Sequence, residues 1–195
     1  MNIVERVKKL MLQPKSEWQV IDGESHTVQG LYTTYVMILA AIPALCGFIG
    51  ASFVGVTLFS GTAIRIPIAA GVVQLVIHYV LTLGMIYVLA LLIDALAPTF
   101  GSQKNFMQAF KVAAFAPTAA WIGGVFSIIP VLGIIGLLFA LYTLYLLFLG
   151  LPVLMKTPQD KALPYTAVVV VVLIVISVVI GALVALAAPS PLRGF

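Results

Sequence analysis

Residues 67–96 read PIAAGVVQLVIHYVLTLGMIYVLALLIDAL, a run whose only formal charge is Asp94 and whose only imidazole is His78. As a helix it would rise about 45 Å at 1.5 Å per residue, more than the roughly 30 Å hydrocarbon core of a bilayer. A buried helix of a soluble protein seldom continues past about 14 apolar residues without a charge. The run therefore reads as a membrane span, opened by Arg65 and Pro67 and closed by Pro98 and Gly101. Four more apolar runs flank it, at 31–58, 110–129, 131–154 and 165–188. The whole chain agrees: 63% of its 195 residues are hydrophobic, 8% are charged and the mean hydropathy is +1.20, whereas a soluble domain carries about 25% charged residues.

The sequence thus predicts an all-α membrane protein, a five-span transmembrane helix bundle over residues 29–195. A mostly polar cytoplasmic segment, residues 1–28, precedes it and carries a short N-terminal amphipathic interfacial helix. In that helix Ile3, Val7, Leu10 and Met11 share one face, and Glu5, Arg6, Lys8 and Lys9 cover the other. Pro14 is expected to stop it, and Trp18 stands where an interfacial aromatic anchor belongs. Docking of the helix on the bundle is the alternative. Because a polar segment precedes the first apolar run, a cleaved signal peptide is not expected.

Lys and Arg outnumber Asp and Glu ten to six, for a net charge of +4. With five spans, Arg6, Lys8, Lys9, Lys15, Lys104, Lys111, Lys156 and Lys161 fall on one side of the membrane and only Arg65 and Arg193 on the other. That split predicts a cytoplasmic N-terminus and an extracytoplasmic C-terminus. Charges confined to short loops speak for topology and anionic-lipid contact and against a nucleic-acid partner. Gly47, Ala51 and Gly55 are spaced by four, and Ala113, Ala116, Ala120 and Gly124 surround Pro117 in a kinked third span. Such small faces serve packing within the bundle or self-association. No internal repeat is evident, and five spans do not divide into inverted halves.

No catalytic, cofactor-binding or metal residue is assigned. Cys46 is the single cysteine, so no intramolecular disulfide forms, and zinc spacings, nucleophile elbows, paired carboxylates and phosphate loops are missing from the sequence. The intramembrane polar candidates are Gln74 and His78, one turn apart near the bilayer middle, and Asp94 nearer the cytoplasmic end. They read as a polar site or proton path in which His78 changes charge, or as hydrogen-bonding glue between helices. Asp94 is expected to pair with Lys104 or Lys111 or to meet interfacial water. A cytoplasmic interface for lipid headgroups or a partner is expected at Trp18, Lys104, Tyr142, Tyr145, Lys156 and Lys161, unless the tyrosines fill helix contacts and the lysines only enforce topology.

Residues 142–165, YTLYLLFLGLPVLMKTPQDKALPY, resemble the bacterial branch of the Yip family, integral membrane proteins named for interaction with Rab-type GTPases. Residues 110–121, FKVAAFAPTAAW, then Pro130 and residues 14–18, PKSEW, are similar to that branch too, and the likeness extends over most of residues 3–180. The resemblance implies five spans, a cytoplasmic N-terminus and a bacterial inner membrane, but no reaction. The Asp-Leu-Tyr-Gly-Pro motif of the eukaryotic, Rab-linked relatives does not occur here. The leading expectation is a non-enzymatic multi-pass scaffold or adaptor that organises membrane or recruits partners at the cytoplasmic face. A small channel or transporter using Gln74, His78 and Asp94 is the alternative, and an intramembrane lipid enzyme has least support. Expected partners are the lipid bilayer, a membrane or cytoplasmic protein and a second copy of the chain, with no cofactor.

Overall fold

Five helical spans, Val28–Val54, Ile68–Phe100, Phe106–Ile128, Ile134–Leu154 and Gln159–Val179, make up the computed structural model, which describes residues 2–57 and 63–187. The number of spans is the expected one and their limits differ. The Ser60-Gly61-Thr62 turn, the first span's expected end at Leu58, the fifth span's at residue 188, and Arg193 lie outside the described residues. The first span starts earlier than expected because the Thr27 side chain accepts the Gly30 N–H at 3.0 Å as a helix cap. The last helix begins at Gln159, with Asp160 in the first turn, where the helix dipole favours an acid. Pro164 falls within its second turn, so the carbonyl deprived of a partner belongs to Asp160, close to water.

Span three is the axis. Of its 18 residues that best fit a membrane span 67% are buried, against 22–33% for the other four spans. Ala109, Ala113, Ala114, Ala116 and Ala119 are all buried, and side chains that small let neighbouring helices approach closely. At its far end a Cβ on Gly123 would overlap Phe139 of span four, and one on Gly124 would lie 2.5 Å from the Pro43 Cβ of span one. Pro117 breaks the helix between Ala116 and Ala119, and polar neighbours repair the break. The Ala120 N–H donates to Thr143 Oγ1 at 3.0 Å, and the Thr118 hydroxyl reaches the Phe115 carbonyl at 2.6 Å and the Tyr35 hydroxyl at 2.8 Å. Spans one and two are joined by a short antiparallel ladder, Val56–Thr57 against Ala63–Ile64.

The N-terminal segment forms two helices, α1 (Ile3–Leu12) and α2 (Pro14–Gly23). Pro14 starts the second helix rather than simply stopping the first, at a position where a missing N–H costs nothing. Both helices dock on the bundle through Leu10, Trp18 and Ile21, which have no exposed surface, while Val4 and Leu12 stay exposed. Trp18 is a core residue and not an interfacial anchor. Its indole packs edge-on to Phe115 and so close to span four that a Cβ on Gly150 would come within 2.9 Å of it. Arg6, expected on the polar outer face, is turned inward. Its guanidinium lies 5.7 Å over the Phe115 ring and pairs with Glu17 and Glu24.

Hydrogen bonds tie this hairpin to two loops. Lys111, buried in span three, donates to the carbonyls of Ile21 at 3.0 Å, Asp22 at 3.3 Å and Glu24 at 2.6 Å. Those are the orphan acceptors at the end of α2, where the helix dipole is negative. The Asp22 carboxylate accepts from Lys156 at 2.6 Å and Gln108 at 3.0 Å, and the Tyr142 hydroxyl donates to the Met11 carbonyl at 2.9 Å. The loops also bond each other, Gln103 N–H to the Met155 carbonyl and Ser102 to Thr157, both at 2.8 Å. The N-terminal segment and both of its companion loops thus share one end of the molecule, as loops that follow the second and fourth of successive antiparallel spans must.

Removing Arg6 would strand the buried Glu17 carboxylate, a loss of about 3–5 kcal/mol. Arg6→Ala should therefore strip hydrogen-exchange protection from residues 3–23 while the spans keep theirs. Gly150→Leu should displace the indole and red-shift Trp18 emission, read in a Trp121→Phe background. Burial raises the Glu24 carboxyl, but the Arg6 guanidinium and the His26 ring outweigh it and hold the group below its ordinary 4.5. A carboxyl lowered in the folded state contributes stability that is complete above pH 4.5 and fades as pH falls below it. Hairpin protection should fall in that acidic window, and Glu24→Gln should flatten the response.

Candidate functional site

Gln74 and His78 lie on the half of span two remote from the hairpin, and both side chains are exposed. His78 is ten residues past Ile68, about 15 Å along the helix and so at mid-depth of a bilayer. The two residues line a cavity of 330 Å³ between spans one, two and three, with Pro43, Gly47, Phe48, Gly71 and Ser127. No protein group among the described residues bonds either side chain. His78 also borders a second hollow, of 510 Å³, between spans two, three and five, lined by Thr82, Met85, Leu89, Pro117, Trp121 and Ser177 among others. The second hollow exists because span five is held at one end only. Ala162, Tyr165 and Val169 are buried, whereas Val171, Ile174, Val175 and Val178 are exposed.

Asp94 does not join this pair. It sits sixteen residues beyond His78, about 24 Å along the helix and some 160° around it. Its Oδ1 is buried without a hydrogen-bond partner. The pairing of Asp94 with Lys111 is not formed, because the Lys111 ammonium is turned to the end of α2. Nearby, the Tyr165 hydroxyl donates to the Ile93 carbonyl and its ring stacks on Phe100 at 4.7 Å.

At the hairpin end, Lys104, Tyr145, Lys156 and Lys161 are exposed, and Trp18 and Tyr142 fasten the hairpin from within. The Tyr142 and Tyr145 rings lie 5.5 Å apart. Lys156 adopts a left-handed backbone, φ 54°, which turns the chain out of span four as its ammonium reaches Asp22. Sequence reasoning left out Arg6, Glu17, Glu24 and Lys111 as a unit. One signal was available, since Glu17 and Glu24 are seven residues apart and so lie on one side of a continuing helical stripe, where a single cation can serve both.

The Yip1 domain family matches residues 8–180. "Inner membrane protein YohC" of Escherichia coli strain K12 is 27% identical over 121 residues, and the protein of that name in Escherichia coli O6:H1 strain CFT073 matches equally. The aligned stretch is 62% of this chain and 62% of those relatives, so the chain spans less than two thirds of their length. No solved structure matches. The family match runs from α1 through all five described spans, and the chain belongs to the Yip1 domain family.

Proposed function

We propose that this chain is a non-enzymatic inner-membrane scaffold with a cytoplasmic N-terminus, whose hairpin end is a prebuilt platform for a protein partner or the anionic leaflet. The observation that carries this reading is the locking of the hairpin by Arg6, Glu17, Glu24 and Lys111. Three of these four side chains are almost fully buried, and burying charge to hold a surface in one shape has a use when that shape is recognised. Lys8, Lys9, Lys15, Lys104 and Lys161 are exposed on the elements so held. All eight basic residues counted for one side belong to those elements, which supports a cytoplasmic platform. The inner membrane follows from the relatives' name. Against the channel alternative stands the distance of Asp94 from Gln74 and His78, which leaves the polar groups of span two without a continuous path.

Photocrosslinkers placed at Lys8, Lys104 and Lys161 in native membranes should give discrete protein or lipid adducts that disappear when Gly150→Leu undocks the hairpin. Purified protein in liposomes should pass no ions, before or after His78→Ala. A wild-type flux that His78→Ala abolishes would replace the scaffold with a channel. A reporter fused after Phe195 should be active outside the cytoplasm; cytoplasmic activity would reverse the assigned direction.

A further inference from the structure

From the two hollows that meet at His78 we infer a binding site for a membrane-dissolved, uncharged lipid with a two-carbonyl ring head and a single long apolar tail, the chemistry of a prenylated quinone. Gln74 and His78 present an amide and an imidazole at hydrocarbon depth, exposed and with no protein partner among the described residues. Polar groups in that position are costly unless something in the membrane bonds them.

Depth, shape and donor spacing narrow the occupant. His78 stands about 15 Å from the start of its helix, mid-core, where a phosphate head anchored at the interface does not come to rest. The openings are of 330 and 510 Å³, within the roughly 300–1,000 Å³ of small-ligand pockets. Gln74 and His78 are at i and i+4, about 5–6 Å apart at Cβ. An amide N–H and an imidazole N–H at that spacing match two acceptor oxygens on opposite edges of one flat ring. From His78 the second hollow runs along Leu81, Met85 and Leu89 towards the hairpin end. That is a path of about 16 Å for a tail, with Met85 able to adapt to its shape. The site occupies the other half of the bundle from the platform and stands or falls without it.

The test uses the full chain in nanodiscs of phosphatidylethanolamine and phosphatidylglycerol. They are doped with a photoactivatable prenyl benzoquinone or, separately, a photoactivatable phosphatidylcholine. The quinone probe should label peptides within 68–89 and 117–127, and unlabelled prenyl benzoquinone should compete. Gln74→Leu and His78→Leu should each lower labelling about tenfold, the loss of one hydrogen bond, and His78→Gln should restore most of it. Ser177→Phe should block the tail path and lower labelling with both polar side chains in place. Elution profile and helical circular dichroism identify variants that fail to fold, for which His78→Gln against His78→Leu remains the deciding pair. Equal labelling by the phosphatidylcholine probe, or quinone labelling indifferent to Gln74 and His78, would overturn the proposal. So would efficient disulfide crosslinking of two copies through Gln74→Cys, which would assign the polar pair to a dimer contact.

Discussion

Inside a bilayer no water repairs a broken helix, so every backbone group freed by a kink must find a partner in the protein. Pro117 is the break on which this bundle depends. Its repair recruits Thr143 from span four and Tyr35 from span one, through Thr118 and the Ala120 N–H. A proline in the axial helix therefore fixes where two other spans must stand. Ala109, Ala113, Ala114 and Ala116 on the hairpin side of the break, and Ala119 and the glycines beyond it, set how near those spans come. Span five packs on spans two and four, and Pro117 borders the 510 Å³ hollow left between it, span two and span three.

The polar end obeys a different rule. There the cheap arrangement would leave charged side chains in water, yet Arg6, Glu17 and Lys111 are buried. Buried ion pairs contribute little net stability compared with apolar side chains of the same size, and removing one partner is severe. Their effect is to admit one arrangement: α1 against α2 through Arg6, and α2 against span three through Lys111. Lys111 does this with main-chain carbonyls, so the contact requires that α2 end where it does and makes little demand on its side chains.

The spans were legible because they depend on composition: twenty apolar residues are hard to place anywhere but in lipid. The packing of residues 1–28 was not. Helical periodicity places Arg6 beside Leu10 on the docking stripe of α1, its charge argues for the polar face, and only Glu17 and Glu24, brought round by a second helix, make an inward Arg6 tolerable. Trp18 reads as an interfacial anchor until Gly150 is placed opposite it, a pairing across 132 positions that no local pattern contains. The separation of Asp94 from Gln74 and His78, by contrast, was available from helix geometry alone, since sixteen residues turn through some 160° beyond whole turns.

The two ends of the molecule are joined by span three. Its Lys111 holds the hairpin, and its Pro117, Trp121, Gly124 and Ser127 border the hollows that meet at His78. Interiors packed at protein density transmit displacement rather than absorb it, and the buried alanines between Lys111 and Pro117 leave little slack. Whether the hairpin responds to what occupies the hollows is then a question of differential affinity. A ligand that binds two positions of this helix equally shifts nothing however tightly it binds, and one that prefers a straighter or a more bent Pro117 biases the hairpin by that preference. The kink at Pro117 borders the larger hollow and lies on the same helix as Lys111, so a preference there has a covalent path to the hairpin.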